Sequence, residues 1–400
     1  SRQKNMEVCQ MAKWKDNLIV KLLLGVIVGI IVGLYANEQV IGVINTIKFL
    51  IGQIIFFIVP LIILGFITPA ITKMKSNASK MLGTMLGLSY SSSVGAALFS
   101  MIAGYILIPK LNIVTAVEGL KEIPALIFKV EIPPVVSVMT ALVLSIVVGL
   151  AVIWTNSKKT EELLEEFNEI MLSVVYKIVI PILPIFIAST FATLSYEGSI
   201  TKQFPVFLKV IVIVLIGHYI WLVVLYLLGG AVSGKNPWNL LKHYGPAYLT
   251  AVGTMSSAAT LPVALSCAKK SNVLHDDVAD FAIPLGATTH LCGSVLTEVF
   301  FVMTVSKILY GSLPSVGTMI LFVFLLGIFA VGAPGVPGGT VMASLGIIIS
   351  VVGFDETGTA LMLTIFALQD SFGTACNVTG DGALALILNG IFKKDLAEKN

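Results

Sequence analysis

The sequence predicts an all-α polytopic membrane protein with eight transmembrane helices and two opposed re-entrant helical hairpins. Three observations predict it. Of 400 residues, 56% are hydrophobic and only 12% charged, with a mean hydropathy of +0.97, where a soluble domain carries about 25% charge. Apolar runs long enough to cross a bilayer recur from end to end. Two further apolar stretches are interrupted by clusters of Gly, Pro, Ser and Thr that a lipid-facing helix does not tolerate. This composition excludes a soluble enzyme, a disordered chain and a nucleic-acid binder. Cys9, Cys267, Cys292 and Cys376 form no CxxC pair and read as small apolar residues.

The first 17 residues are polar and basic, without a signal-peptide cleavage pattern, and Ser1–Asn5 reads as added sequence before a native Met6. Residues 18–36 form the first span. Residues 41–71, with Pro60 as a kink, form the second, and 81–108 the third. An external loop follows at 109–134. The fourth span is 135–154, a charged connector covers 157–169, the fifth span is 171–194 and the sixth 204–232. With the N-terminus in the cytoplasm, Arg2, Lys4, Lys13, Lys15, Lys73, Lys75, Lys80, Lys158, Lys159, Lys235 and Lys242 fall inside. Only Lys110, Lys121, Lys129 and Lys202 fall outside, as the positive-inside rule requires.

Residues 244–268 break the alternation. Their centre reads Gly253-Thr254-Met255-Ser256-Ser257-Ala258-Ala259-Thr260-Leu261-Pro262, and Lys269 and Lys270 follow directly. A hairpin entering and leaving on the cytoplasmic side satisfies both facts, with its tip covered by protein or lining a cavity. Residues 281–306 then cross outward as the seventh span. Residues 316–352 are too long for one helix and carry Gly332-Ala333-Pro334-Gly335-Val336-Pro337-Gly338-Gly339 in their middle. They read as a second hairpin, entered from outside. Residues 359–392 form the last span and end in the cytoplasm at Lys393 and Lys394. Opposed broken helices meeting near the midplane are a transporter arrangement.

Of 22 acidic residues, only Glu298, Asp370 and Asp381 fall inside spans. A carboxylate there is costly unless paired or solvated, so each is a functional candidate, with a structural partner as the plainer reading. Asp370, Thr374, Asn377 and Asp381 share one face of the last helix at about 100° per residue. Such a stripe needs polar company, which a bound cation and a polar solute would supply, and hard oxygen donors suit Na⁺. Lys21, Lys48, Lys177 and Lys209 can snorkel to an interface. His218 and His275 read as structural or interfacial. Tyr90, Ser91, Ser92 and Ser93 either line a cavity or bond to backbone and neighbours.

The three motifs together resemble the dicarboxylate/amino acid:cation symporter family, which holds glutamate and neutral amino acid transporters. Ser256-Ser257-Ala258-Ala259-Thr260-Leu261-Pro262 resembles its first hairpin tip, and Gly335-Val336-Pro337-Gly338-Gly339 its second. Asn377-Val378-Thr379-Gly380-Asp381 matches its last-span signature letter for letter. Order and spacing agree over essentially the whole chain, and the chain is read as a bacterial member of the neutral type. The resemblance implies a homotrimer in the cell (plasma or inner) membrane, with both termini cytoplasmic. It implies a scaffold at 18–71 and 135–194, and a transport region at 81–108 and 204–392 that moves as an elevator. Substrate would meet Ser256, Ser257, Ser294, Val336, Pro337, Gly338, Asp370, Gly373, Thr374 and Asn377. Asp370 would pair with the α-amino group, and Ser256 and Ser257 would hold the α-carboxylate. One Na⁺ would use Asp381, Asn377 and the carbonyls of Gly286 and His290, a site that reads as intact. Another would use the carbonyls of Thr288, Ala330, Val331 and Ala333.

The departures from that pattern narrow the expectation. Acidic-substrate members carry an arginine three residues after the aspartate, where this chain has Gly373, or just before the hairpin serines, where it has Met255. A second substrate carboxylate would be desolvated without a partner, so a neutral amino acid is expected. The seventh span reads His290-Leu291-Cys292-Gly293-Ser294 where members usually read Asn-Met-Asp-Gly-Thr. Cys292 is a poor Na⁺ ligand, and the site that shares the missing aspartate with the third span near Tyr90 reads as lost or altered. His290 is either a neutral core residue filling that site or a titrating group in place of Na⁺. Glu298 matches the position of a glutamate in proton-co-transporting members.

The resulting expectation is Na⁺-coupled symport of a neutral amino acid, serine or threonine first. The rivals are proton-coupled symport through His290 or Glu298, dicarboxylate:cation symport, and an ion channel. No Ser-His-Asp order, metal triad or nucleophile motif supports an enzyme.

Overall fold

The computed structural model describes residues 18–73, 80–113, 121–333, 335 and 337–393. No strand occurs among them. The first half holds α1 (Leu18–Tyr35), α2 (Glu38–Lys73), α3 (Lys80–Leu107), α4 (Val138–Thr155) and α5 (Lys158–Val174). A π-turn at Val175–Val179 carries α5 into α6 (Ile180–Glu197), and α7 (Ser199–Ser233) follows. Within this half α1 lies along α6, and α2 packs against α4, α5 and α6. The charged connector expected at 157–169 is therefore the first turns of one long helical run. Five stretches among the described residues are long and apolar enough to cross a membrane: Glu38–Gly65, Lys80–Leu111, Lys158–Glu197, Phe204–Ser233 and Asp276–Tyr310. Apolar side chains at Leu23, Ile27 and Ile31 on α1, and at Leu208, Val212 and Val223 on α7, are exposed, as lipid contact requires.

The expected external loop is partly described. From residue 121 it runs without helix across the N-terminal half of α2. Asn45 Nδ2 donates to the Pro124 carbonyl at 3.0 Å, Ile127 N–H to Thr46 Oγ1 at 3.0 Å, and Ile132 N–H to Gln53 Oε1 at 3.0 Å. Polar side chains on α2 thus satisfy backbone groups that no ladder serves.

Both breaker clusters are hairpins. The first is α8 (Gly245–Thr254) and α9 (Ser257–Lys270). Met255 closes it in the left-handed region, φ 54°, and Ser256 caps α9 by accepting the Ala259 N–H at 3.2 Å. The second is α12 (Val316–Gly332) and α13 (Gly339–Ile347), which runs into a π-turn at Ile348–Val352. Of its tip, Pro334 and Val336 lie outside the described residues.

The expected seventh span is not one helix. It is α10 (Asp276–Thr289) and α11 (Cys292–Tyr310), parted by His290 in extended backbone (φ −118°, ψ 105°) and Leu291 in a non-helical conformation (φ −122°, ψ 43°). The reason lies on the last helix, α14 (Glu356–Ile391). Leu291 offers no capping side chain, and Asn377 of α14 supplies the acceptor instead: its Oδ1 takes the N–H groups of Gly293 at 2.8 Å and Ser294 at 3.1 Å. A helix must leave its first N–H groups without carbonyl partners, and here a neighbouring helix serves them. His290 and Cys292 therefore do not share a helix. α11 and α14 form the buried centre, with α3, α7, α8 and α10 packed on them.

Candidate functional site

The polar stripe of α14 faces inward. Asp370, Thr374, Asn377 and Asp381 are all buried. Its upper end meets the second hairpin: Asp370 Oδ2 accepts the Gly338 N–H at 2.6 Å. Gly338 sits at the start of α13 in the left-handed region, φ 69°. A carboxylate at a helix N-terminus is favourably placed. No Lys, Arg or His pairs with Asp370 among the described residues.

The two hairpin tips touch. Ser256 Oγ donates to the Gly335 carbonyl at 2.7 Å, and the Ala258 N–H reaches the same oxygen at 3.3 Å. Ser257 is buried beside them, and a Cβ placed on Gly335 would stand 2.8 Å from the Ala287 carbonyl and 3.4 Å from the Ser257 Cβ. That glycine lets the second tip lie on both the first tip and the C-terminal turn of α10. One turn below Asp370, Gly373 faces Ser294, since a Cβ there would be 3.4 Å from the Ser294 Cα and Oγ. Asn377 Nδ2 donates to the same Ser294 Oγ at 2.9 Å. Ser256, Ser257, Ser294, Pro337, Gly338, Asp370, Gly373, Thr374 and Asn377 are thus gathered around the two tips and the α10–α11 break. Val336 is outside the described residues.

The expected cation ligands divide into two groups. Thr288 lies in the last turn of α10, and Ala330 and Val331 in the last turn of α12, with Ala333 just beyond. The last carbonyls of a helix have no intrahelical partner, and helix C-termini favour cations. Backbone oxygens from two such ends fit a hard cation. The other group does not fit. Asp381 Oδ1 is 3.0 Å from His290 Nδ1, and the Gly286 carbonyl already accepts the His290 backbone N–H at 2.8 Å. The side-chain oxygen of Asn377 is occupied by two N–H groups. Where the sequence suggests an intact Na⁺ site, the His290 ring stands against the carboxylate.

That ring also reaches α3. His290 Nε2 lies 2.8 Å from Ser92 Oγ, and Thr289 Oγ1 lies 3.2 Å from Ser89 Oγ. Ser92, His290 and Asp381 therefore line up although no Ser-His-Asp motif is legible in the sequence. The connectivity is that of a nucleophile relay, but Ser92 is buried in mid-helix, where no substrate bond could reach its oxygen. Ser89 and Ser92, three apart and so on one helix face, are the signal that could have revealed it. Cys292 lies beside the ring, since a Cβ on Gly380 would stand 3.0 Å from His290 Cε1 and 3.1 Å from Cys292 Sγ, and its Sγ is 4.0 Å from the Cys376 carbonyl. Tyr90 donates to the Phe324 carbonyl at 3.4 Å. No group of three His, Cys, Asp or Glu side chains that could hold a metal occurs among the described residues.

Glu298 is buried on α11, with Oε1 taking a short hydrogen bond from Ser344 and Oε2 without a partner. His218 is structural: its Nε2 lies 2.8 Å from Thr297 Oγ1 and 3.0 Å from the Gly293 carbonyl. His275 caps α10, its Nδ1 accepting the Asp277 N–H at 3.3 Å.

Residues 18–391 match the profile of the sodium:dicarboxylate symporter family, which takes in both hairpins, the break and the whole of the last helix. The chain belongs to that family. As a member it is a multi-pass membrane protein. Among its relatives are excitatory amino acid transporter 1 of Ambystoma tigrinum, 27% identical over 67% of this chain and 50% of that protein, and excitatory amino acid transporter 1 of Homo sapiens, 26% identical over 61% and 46%. Excitatory amino acid transporter 3 of Mus musculus is 32% identical over 44% of this chain and 34% of its own length. The chain spans about half the length, or less, of the curated relatives it matches.

Proposed function

We propose that this member of the sodium:dicarboxylate symporter family is a secondary active symporter that carries a neutral amino acid, serine- or threonine-like, together with Na⁺. One observation carries the reading. Asp370 is a buried carboxylate placed where two hairpin tips meet; among the described residues it has no cationic side-chain partner, and its hydrogen bond is to the backbone of the second tip. A substrate ammonium is the partner that such a group lacks. The other end of the pocket argues for neutrality. Gly373 and Met255 stand where an arginine would be needed for a second carboxylate, and Ser294 and Asn377 offer only neutral polar atoms. The relatives named for excitatory amino acids support amino acid transport; the missing arginines separate this chain from acidic cargo.

Na⁺ would bind at the carbonyls of Thr288, Ala330, Val331 and Ala333. Eight spans with cytoplasmic termini, a homotrimer in the cell membrane, and a scaffold of α1, α2 and α4–α6 against which the remaining helices move as an elevator complete the reading. The packing of α1 on α6 and of α2 on α4–α6 supports that division. The test is uptake into proteoliposomes. Serine or threonine should accumulate under an inward Na⁺ gradient and not when choline replaces Na⁺. Accumulation of aspartate or glutamate with no response to serine, threonine or alanine would refute the neutral assignment. Large currents without any amino acid would instead make the protein a channel.

Proton coupling is a second reading, favoured by Glu298. This carboxyl is fully buried, and among the described residues it has no cation beside it and leaves one oxygen unbonded. It predicts uptake that follows a pH gradient and survives replacement of Na⁺ by choline.

A further inference from the structure

Three oxygens that the sequence assigns to one Na⁺ are already accepting hydrogens. Two of them accept from His290 itself: Gly286 O from its backbone N–H at 2.8 Å, and Asp381 Oδ1 from its ring at 3.0 Å. The third, Asn377 Oδ1, caps α11. The ring is held on every side that the structure describes. Ser92 of α3 bonds its far nitrogen at 2.8 Å, and a Cβ on Gly380 would stand 3.0 Å from its Cε1. Asp381 is equally confined, since a Cβ on Gly286 would lie 2.7 Å from Oδ1. His290 has no exposed surface and Asp381 1%. An ionised carboxylate only accepts, so toward it the ring presents its N–H.

We infer that His290 is a tethered substitute for an alkali cation: its imidazole N–H occupies the Asp381 site, which therefore takes no Na⁺. An alkali ion seated on Asp381 Oδ1 with the Gly286 carbonyl would have to displace a fully buried ring from its hydrogen bonds to Asp381 and Ser92. The Na⁺ dependence of this chain then runs through the carbonyl ligands alone, and each cycle carries one cation fewer than a site with a small neutral amide at position 290 would allow. His290 is thus a residue that sets ion stoichiometry. The inference rests on the symport reading for its consequence in transport, but not for the occupancy of the site.

The experiment therefore reads Na⁺ binding without transport. The detergent-solubilised full chain is melted across a Na⁺ series, with choline holding ionic strength constant, for wild type, Asp381→Asn, His290→Asn and the double variant. A ligand that binds only the folded state raises stability with a steepness, against the logarithm of its concentration, equal to the number of sites occupied. Wild type and Asp381→Asn should share one Na⁺ midpoint. His290→Asn should steepen the Na⁺ dependence by about one ion, an added tenfold in stabilising equilibrium per tenfold in Na⁺ once the restored site is filled, and Asp381→Asn should abolish that gain. A tenfold weaker Na⁺ midpoint for Asp381→Asn alone, or a folded His290→Asn with unchanged steepness, overturns the proposal. Should the variants not fold, wild type decides through ²²Na⁺ bound per chain. About one ion, the carbonyl ligands alone, supports the inference, and two or more overturn it. Na⁺ stabilisation without any amino acid binding would remove the symport reading and leave this one standing.

Discussion

Asp370 Oδ2 holds the backbone N–H of Gly338 at 2.6 Å, and both residues are buried. The carboxylate proposed to receive the substrate ammonium is therefore holding the second hairpin tip. A substrate ammonium entering from that side can bond to the other oxygen, Oδ1, or exchange with the Gly338 N–H on this one. A charged donor outcompetes a neutral one, since hydrogen bonds to charged groups contribute about 1.5–3 kcal/mol against about 1 for neutral pairs.

Asp370→Asn should abolish this exchange. The amide oxygen can still accept the Gly338 N–H, so the fold and the hairpin contact persist, but the charge that favours an ammonium is gone. Substrate affinity should fall by roughly 10- to 150-fold, the equivalent of about 1.5–3 kcal/mol, with an unchanged melting temperature. Binding calorimetry checks it, and equal affinity in wild type and variant would show that Asp370 does not hold the amine.

Gly373→Arg should redirect the pocket toward acidic amino acids. The new Cβ would meet the Ser294 Cα and Oγ at 3.4 Å, ordinary contact, so the backbone need not move. The guanidinium would then supply the paired, bidentate partner that a second carboxylate lacks in wild type. Competition between aspartate and serine for uptake reads the outcome. An unchanged preference, with the variant folded and active, would mean that the substrate side chain does not point at this helix face.

Much of this architecture is legible in the sequence because apolar length and breaker clusters act locally. Met255 with Ser256, and the Gly-Pro run from Gly332 to Gly339, announce the two hairpins without any knowledge of what they touch. The α10–α11 break is different. Leu291 and Cys292 are apolar and carry no breaker signal, and what ends one helix and starts the next is Asn377, some eighty residues away in sequence. The same holds for His290. Its neighbours in the chain do not reveal that Asp381 and Ser92 lie on either side of its ring. Stripe residues are readable from periodicity; the partners that occupy their lone pairs are set by packing between helices.

Glu298→Gln separates the two coupling readings. The amide keeps an acceptor for Ser344 and removes a buried acid whose second oxygen has no partner, so stability should hold or rise by about 1 kcal/mol. Under Na⁺ coupling, uptake driven by a Na⁺ gradient should persist in the variant. Under proton coupling, uptake driven by an inward pH gradient should vanish while equilibrium exchange of substrate continues. Loss of Na⁺-driven uptake in a folded variant would assign the coupled ion to Glu298.

Asn377→Ala should damage the fold as well as the site. Its Oδ1 is the acceptor for two buried N–H groups, Gly293 and Ser294, and its Nδ2 anchors Ser294 Oγ. Truncation leaves both N–H groups unsatisfied in a segment that water does not reach, and each such group costs about 1–3 kcal/mol. The loss of stability should approach the effect of removing a strong helix cap twice over, about 2 kcal/mol or more. Asn377→Asp is the informative companion. Aspartate retains an acceptor for both N–H groups and stands at a helix N-terminus, where a negative charge is favoured, while the Ser294 hydroxyl can rotate to donate. It should therefore melt near wild type. If Asn377 acts on substrate only by shaping the α11 start, Asn377→Asp should also bind the amino acid near normally. If its amide touches the substrate carboxylate, the same variant should be stable and yet fail to bind, because two carboxylates would face each other. Melting curves and calorimetry on the pair thus separate support of the helix start from contact with the cargo. A destabilised Asn377→Asp would show instead that the amide hydrogens, not the oxygen, hold the break open.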